Sequence, residues 1–261
     1  MQDRPAWYRH RFNTATSLRW ILTIIPWVPR FLVPPIAVLT TAVCIAAMPH
    51  ERRAASRNLR RISGRRGWPL RRGVWALFYN FARLMVSYCD LPQLSAAELQ
   101  ASIDADPAAL TRLRGALEAG KGLIVLTAHL GNWEIGARVL EQAGSPVHVV
   151  MQVDRMNAAE RWLSRLRERG GVHVEAMSGG PADVLGLRAS LARNGILAMQ
   201  GDRAPGQRTI TQSLFGAPFA LPRGPFLLAH GCGAPLVTAF VVQRGWRRWR
   251  AEIGEPFWLE R

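Results

Sequence analysis

Lysine is almost missing from this sequence: among 34 basic residues Lys121 is the only lysine. Arginine in its place reflects genome composition as readily as function, so charge is the informative quantity and side-chain identity is not. Cysteine is nearly as scarce. Cys44, Cys89 and Cys232 lie far apart with no CxxC pair and no clustered histidines. That excludes a disulfide framework and a zinc site, so no metal is expected, and a reducing cytosolic setting is the default. A short basic start followed by an apolar core and a small-residue cleavage site is also lacking, which excludes a cleaved secretory signal. There is no GxSxG elbow, no internal repeat and no low-complexity tract,.

Acidic residues are few, 18 against the 34 basic ones, for a net charge of +16. Residues 1–100 hold 15 basic and 4 acidic side chains, whereas the remainder holds 19 and 14. The excess therefore belongs to the N-terminal part, and its ordinary partners are nucleic acid, an anionic membrane surface or an acidic protein. The sequence around it favours the membrane. Leu18 to Met48 is strongly apolar, broken by Pro26, Pro29, Arg30, Pro34 and Pro35, and the uncharged run Phe31 to Met48 is at the lower limit for spanning a bilayer,. It reads as an anchor or an interfacial hairpin, with a buried core helix as the competing reading. Nine arginines follow between Arg52 and Arg72 with no acidic residue among them, the arrangement expected on the cytoplasmic side of a membrane,. A solvated helix face is the bland alternative. No helix-turn-helix spacing, zinc finger or RNP-type aromatic motif supports nucleic acid. Trp75, Phe78, Phe81, Ala82, Met85 and Tyr88 then recur at helical spacing, as packing or membrane-facing residues,.

The chain's 261 residues, 49% hydrophobic, suffice for one sizeable α/β domain,. We expect residues 1–100 to form a helical, basic membrane-association region and 101–261 the α/β domain, with a linker around Pro92 to Pro107. Beyond the linker the pattern predicts strands at 122–127, 146–151, 172–177 and 195–200. These alternate with helices near 133–143, 157–169 and 182–193, and a helix near 224–231 precedes strands near 235–243 and 247–253,. Such β-α alternation predicts a mostly parallel or mixed central sheet flanked by helices on both faces.

Open α/β sheets bind ligands beyond the C-terminal ends of their strands. After the first predicted strand comes AHLGNWE, with His129 and Glu134; after the second, Asp154 and Arg155; after the fourth, Gly201, Asp202 and Arg203. A neutral imidazole can take the proton of an alcohol as it attacks a carbonyl. A carboxylate on the other ring nitrogen fixes the tautomer and stabilises the imidazolium, and Glu134 is the candidate for that place. Gly131 and Asn132 suit the tight turn between the two. His129 is the only one of the six histidines with an acid five residues on. The competing reading is a histidine satisfied by turn hydrogen bonds. Arg155 and Arg203 suit a phosphate, although surface ion pairs would use them equally. Arg223 and Gly224 open a predicted helix whose free N–H groups suit an anion, with a cap or turn as the alternative.

At AHLGNWE the sequence resembles the bacterial lipid A biosynthesis acyltransferases of the lauroyl/myristoyl type. These form part of the wider lysophospholipid and glycerol-phosphate acyltransferase group with a His-x4-acid motif. The resemblance extends through QVDRMNAAERWLSRLRERGG, ILAMQGDRAPGQ and LFGAPFALPRGPFLLAHGCGAPLVTAF, and through the apolar, then basic N-terminus with Asn58 and Leu59. It implies an O-acyltransferase at the cytoplasmic face of a bacterial inner membrane. The donor would be an acyl thioester of acyl carrier protein or coenzyme A, a co-substrate with no cofactor beside it. The acceptor would be a hydroxyl of a glycolipid or lysolipid such as a lipid A precursor. It also implies catalytic roles for His129 and Glu134, supporting roles for Arg155 and Asp202, and no nucleic-acid partner. Members of the family continue past the GEPF-like strand, whereas this sequence ends at Arg261, so a short or truncated member is expected. A catalytically degenerate, membrane-bound lipid-binding protein is the alternative from another class.

Overall fold

The computed structural model describes residues 24–151, 173–177, 180–204 and 209–260. These residues fall into two units. An α/β unit comprises Leu94–Thr211 and Ala220–Arg261; a helical unit comprises Leu22–Gln93 and Gln212–Phe219.

The α/β unit is built on a seven-stranded sheet of β1 (Ile103–Ala105), β2 (Leu123–Thr127), β3 (Val147–Met151), β4 (His173–Ala176), β5 (Ile196–Gln200), β8 (Leu236–Gly245) and β9 (Arg248–Ile253). Their spatial order is β1-β9-β8-β2-β5-β3-β4. The five strands from β8 to β4 are parallel, β9 is antiparallel to β8, and β1 is parallel to β9. The mixed sheet expected from the β-α alternation is therefore present, flanked by α5 (Pro107–Leu117), α6 (Trp133–Glu141), α7 (Pro181–Ala192) and α8 (Gly224–Cys232).

Alternation along β2 shows why the sheet is covered on both faces. Leu123 and Val125 pack with Leu113, Leu117, Ala137 and Leu140 of α5 and α6. Ile124, between them, packs with Leu187, Leu191, Leu228 and Ala229 of α7 and α8. A continuous apolar run is what a strand buried on both sides requires. Helix starts are set by side chains: Asp106 accepts from the Ala108 N–H at α5, and Asn132 from the Glu134 N–H at α6,.

Two expectations are amended. The stretch taken as a linker holds α4 (Ala96–Ser102), opened by a Ser95–Glu98 capping box, and then β1 on the sheet edge,. Three residues of strand carry no readable period. A two-stranded hairpin, β6 (Thr209–Leu214) and β7 (Ala217–Pro222), lies where no strand was expected. Residues Thr211 to Leu214 of β6 are all exposed, so burial imposes no hydrophobic alternation on it. The helix expected near 157–169 lies outside the described residues.

In the helical unit, α1 (Val33–Ala47), α2 (Pro49–Ser63) and α3 (Gly67–Asp90) follow one another closely. Gly64, left-handed at φ +66, closes the end of α2,. Cys89 is buried near the end of α3, where burial and the neighbouring Asp90 charge push its thiol up to about 12.

Leu197 is fully buried on β5, the strand at the centre of the five parallel ones by sheet order. Leu197→Ala is expected to destabilise the α/β unit by about 2–5 kcal/mol, read as a lowered urea midpoint.

Candidate active site

Strands β2 and β5 are parallel neighbours in register, with Thr127 opposite Gln200. The ladder runs one residue further, since the Gly201 N–H donates to the Thr127 carbonyl at 2.8 Å. His129 and Asp202 each stand two residues beyond that last registered pair, on loops leaving the same sheet edge. They meet there: His129 Nδ1 lies 2.8 Å from Asp202 Oδ1, both side chains being about a third exposed, 37% and 31%. Between a carboxylate and an imidazole, the ring nitrogen donates. Nδ1 then carries the proton and Nε2 keeps its lone pair for whatever enters the site.

Burial works to raise the Asp202 carboxyl, but the hydrogen bonds and charge of His129 more than offset it and hold the group below its ordinary value of 3.8,. The carboxylate is therefore ionised throughout the range in which a neutral histidine can act as a base.

Glu134, five residues on from His129, is the carboxylate expected as the partner of the ring. In the structure Glu134 sits in the first turn of α6, half-buried, with its backbone N–H bonded to Asn132 Oδ1 at 3.0 Å. Among the described residues, the hydrogen bond of the His129 ring goes to Asp202 and not to Glu134. The neighbouring parallel strand β5 delivers the loop that carries Asp202 to the same level of the edge as His129.

The turn between His129 and α6 is held tightly. Gly131 adopts φ +70 and bridges to Val241 of β8, so close that a Cβ there would run into the Val241 carbonyl oxygen,. Asn132, the α6 cap, is buried at 1% exposure. Gly131 and Asn132 thus fix the path that carries His129 away from β2. Gly131 suggested a turn in the sequence, but nothing local announced its approach to β8.

Beside this turn an apolar cleft opens between α6 and the sheet. Thr127, Leu130 and Gln200 line it at the strand ends, and Val125, Leu140 and Val149 line it within. Small residues leave the space: Gly136 and Ala137 on the helix face Ala198, Ala239 and Ala251 on the strands. In sequence these positions read as core.

Arg203 follows Asp202 on the edge loop and is exposed. Arg223 and Gly224, also exposed, stand at the start of α8. Arg155 lies outside the described residues. No group of three or more metal-ligating side chains is present among the described residues.

A family model described as bacterial lipid A biosynthesis acyltransferase matches residues 9–256. Curated relatives include a phosphatidylinositol mannoside acyltransferase of Mycobacterium tuberculosis, 29% identical over 162 residues, which are 60% of this chain and 50% of that protein. A protein of the same name from Mycolicibacterium smegmatis is 27% identical over 178 residues, 66% of this chain and 57% of that one. The chain spans about half the length of the curated relatives it matches.

A folded-state pKa held below 3.8 contributes stability that is present above 3.8 and lost as the pH falls through the depressed value,. Asp202→Asn should therefore lower the melting temperature near neutral pH. The gap to the parent protein should close in acid below 3.8, as followed by thermal denaturation across a pH series.

Proposed function

Because the chain belongs to the bacterial lipid A biosynthesis acyltransferase family, we propose that it transfers a fatty acyl group from a thioester, carried on acyl carrier protein or coenzyme A, to a hydroxyl of a membrane glycolipid or lysolipid. The observation that carries this reading is the His129–Asp202 contact on the sheet edge where Thr127, Leu130 and Gln200 line an apolar cleft. It supplies a base with a free Nε2 where an alkyl chain and an alcohol would both arrive.

In the proposed reaction Nε2 of His129 takes the proton of the acceptor hydroxyl as the oxygen attacks the thioester carbonyl carbon. The Asp202 carboxylate holds the ring in its Nδ1–H tautomer and stabilises the imidazolium. Glu134, in the first turn of α6, adds a second catalytic carboxylate beside the loop. The oxyanion of the tetrahedral intermediate is met by the positive end of α6 and by Arg203. Its collapse forms the ester and expels the carrier thiolate, which takes the proton back from His129. No acyl-enzyme is required.

Arg155, Arg203, Arg223 and Gly224 are proposed to receive the phosphates of the carrier or of the lipid acceptor. Relatives named as phosphatidylinositol mannoside acyltransferases favour a glycolipid acceptor, and the family description favours a lipid A precursor. We assign the enzyme to the cytoplasmic face of a bacterial inner membrane. Its arginine-rich region faces anionic lipid there, and an acidic carrier protein can meet its basic surface.

His129→Ala should abolish acyl transfer from acyl thioesters to lipid acceptors while leaving membrane binding intact. Unchanged transfer would sink the assignment, and a parent protein that binds lipid without transferring acyl groups would favour the lipid-binding alternative. Asp202→Asn should lower kcat by about 10²–10⁴-fold with KM little changed. Filling the cleft by Ala198→Phe is expected to move the preferred donor to a shorter acyl chain, measured with thioesters of graded length.

A further inference from the structure

The apolar run near the N-terminus is long and apolar enough, over the 18 residues Arg30–Ala47, to suggest a transmembrane span, yet only 17% of that window is buried. On α1 the buried positions Val33, Ala37 and Thr41 recur every four residues and form one stripe,. Ile36, Val38, Leu39 and Val43 are exposed at 39%, 45%, 65% and 58%. A helix that is apolar on nearly all sides and covered on only one belongs in a non-aqueous environment. The question is how it lies there.

The packing of the helical unit answers it. Arg30, just before α1, is ion-paired and hydrogen-bonded to Asp90, the last residue of α3, whose side chain is 5% exposed. Leu59, near the end of α2, packs over Gly73, near the start of α3, where an added Cβ would meet its Cδ1 at 3.5 Å. The chain thus runs outward through α1 and α2 and returns along α3, antiparallel to both. Three consequences follow.

First, a single-pass α1 would carry Arg30 to the opposite side of the bilayer from α2. It would also tear it from Asp90 and break an ion pair whose carboxylate is buried,. Second, if α1 and α3 crossed together, the arginines of α2 and of the start of α3 would lie on the far side from the α/β unit, which α3 joins through Leu91–Gln93. That reverses the usual charge bias. Moreover, the same number of residues in from the Arg30–Asp90 pair on either helix stand Ala37 and Arg83, so a crossing pair would place Arg83 in hydrocarbon. Third, α1 with the turn before it makes an 18-residue apolar helix, Arg30–Ala47, at the lower end of the length that crosses roughly 30 Å of hydrocarbon,.

We propose that the helical unit is a one-sided, in-plane anchor. The exposed faces of α1 enter a single leaflet with both helix ends at the same surface, and the arginines of α2 and of the start of α3 lie among anionic headgroups. Arg53, Arg57, Arg60, Arg61, Arg71 and Arg72 are exposed for that contact. Trp27 and Trp68, 86% and 69% exposed, flank the helices where indole rings settle at a lipid–water boundary,. This inference rests on the membrane association proposed above and specifies its form.

The test uses the full chain in a bacterial inner membrane, with Cys44 and Cys232 replaced by serine and buried Cys89 retained. Single cysteines are introduced by Trp27→Cys, Ser63→Cys and Glu118→Cys, before α1, at the end of α2 and on the α/β unit. All three should react with a membrane-impermeant maleimide in inverted vesicles, and none in intact spheroplasts. Position 27 labelling from the opposite side to 63 and 118 would overturn the proposal in favour of a single pass. Position 63 labelling alone from the opposite side would overturn it in favour of a paired crossing. Absence of the chain from the membrane fraction would instead sink the membrane association itself. Independently, Arg57→Gln and Arg61→Gln should each weaken binding to phosphatidylcholine vesicles containing phosphatidylglycerol by about fivefold, without effect on pure phosphatidylcholine. Equal binding to the charged vesicles would remove the headgroup contact from the proposal.

Discussion

Parallel pairing between β2 and β5 is the constraint on which the candidate site depends. Two strands hydrogen-bonded in register end at the same level, and the loops that leave them start within reach of each other,. His129 on one loop and Asp202 on the other are 73 residues apart in sequence, yet they face each other across a single hydrogen bond. A shift in that register would slide Asp202 along the strand direction and away from the imidazole. The cores on both faces hold the register, because each residue of β2 is committed to one face and a one-residue slip would send every side chain into the opposite core,.

Around this pair the local chemistry is mostly steric. Gly131 lets the loop press against the β8 backbone, where no other residue would fit, and Asn132 both caps α6 and fills buried space. The small residues of α6 and of the facing strands withhold the packing that would otherwise close the cleft beside it. Where a core would normally be filled to crystal-like density, here it is interrupted, and the interruption leads from the strand ends inward,.

The helical unit solves a different problem. It carries apolar surface that water would not tolerate beside a dense cationic stretch that hydrocarbon would not tolerate. Folding the two as successive segments against one long helix gives each its own environment. The Arg30–Asp90 pair closes the open end of that arrangement. Burial raises the Asp90 pKa, while the hydrogen bond and charge of Arg30 act to lower it,. A pair of this kind has more to do with selecting one arrangement than with net stability.

Much of this was legible before any coordinates. Short apolar runs marked β2, β3, β5 and β8 as strands, because a strand packed on both faces leaves few polar positions,. The β-α alternation implied the mixed sheet, and the strand ends pointed to His129 and Asp202 as residues of one edge. The three-residue β1, the exposed β6–β7 hairpin and the cleft were not legible. A short edge strand has no period, an exposed hairpin has no hydrophobic code, and alanines that leave a cavity look like alanines that fill one. Local spacing also favoured Glu134 as the partner of His129, since a motif five residues long is all that a linear reading can weigh. Composition and periodicity by themselves determined that this is an α/β chain with a basic, apolar N-terminal region and a histidine beyond a strand. Which carboxylate holds that histidine, and where the apolar helix turns back, were decided only by tertiary structure, because both depend on contacts between residues that the chain keeps far apart.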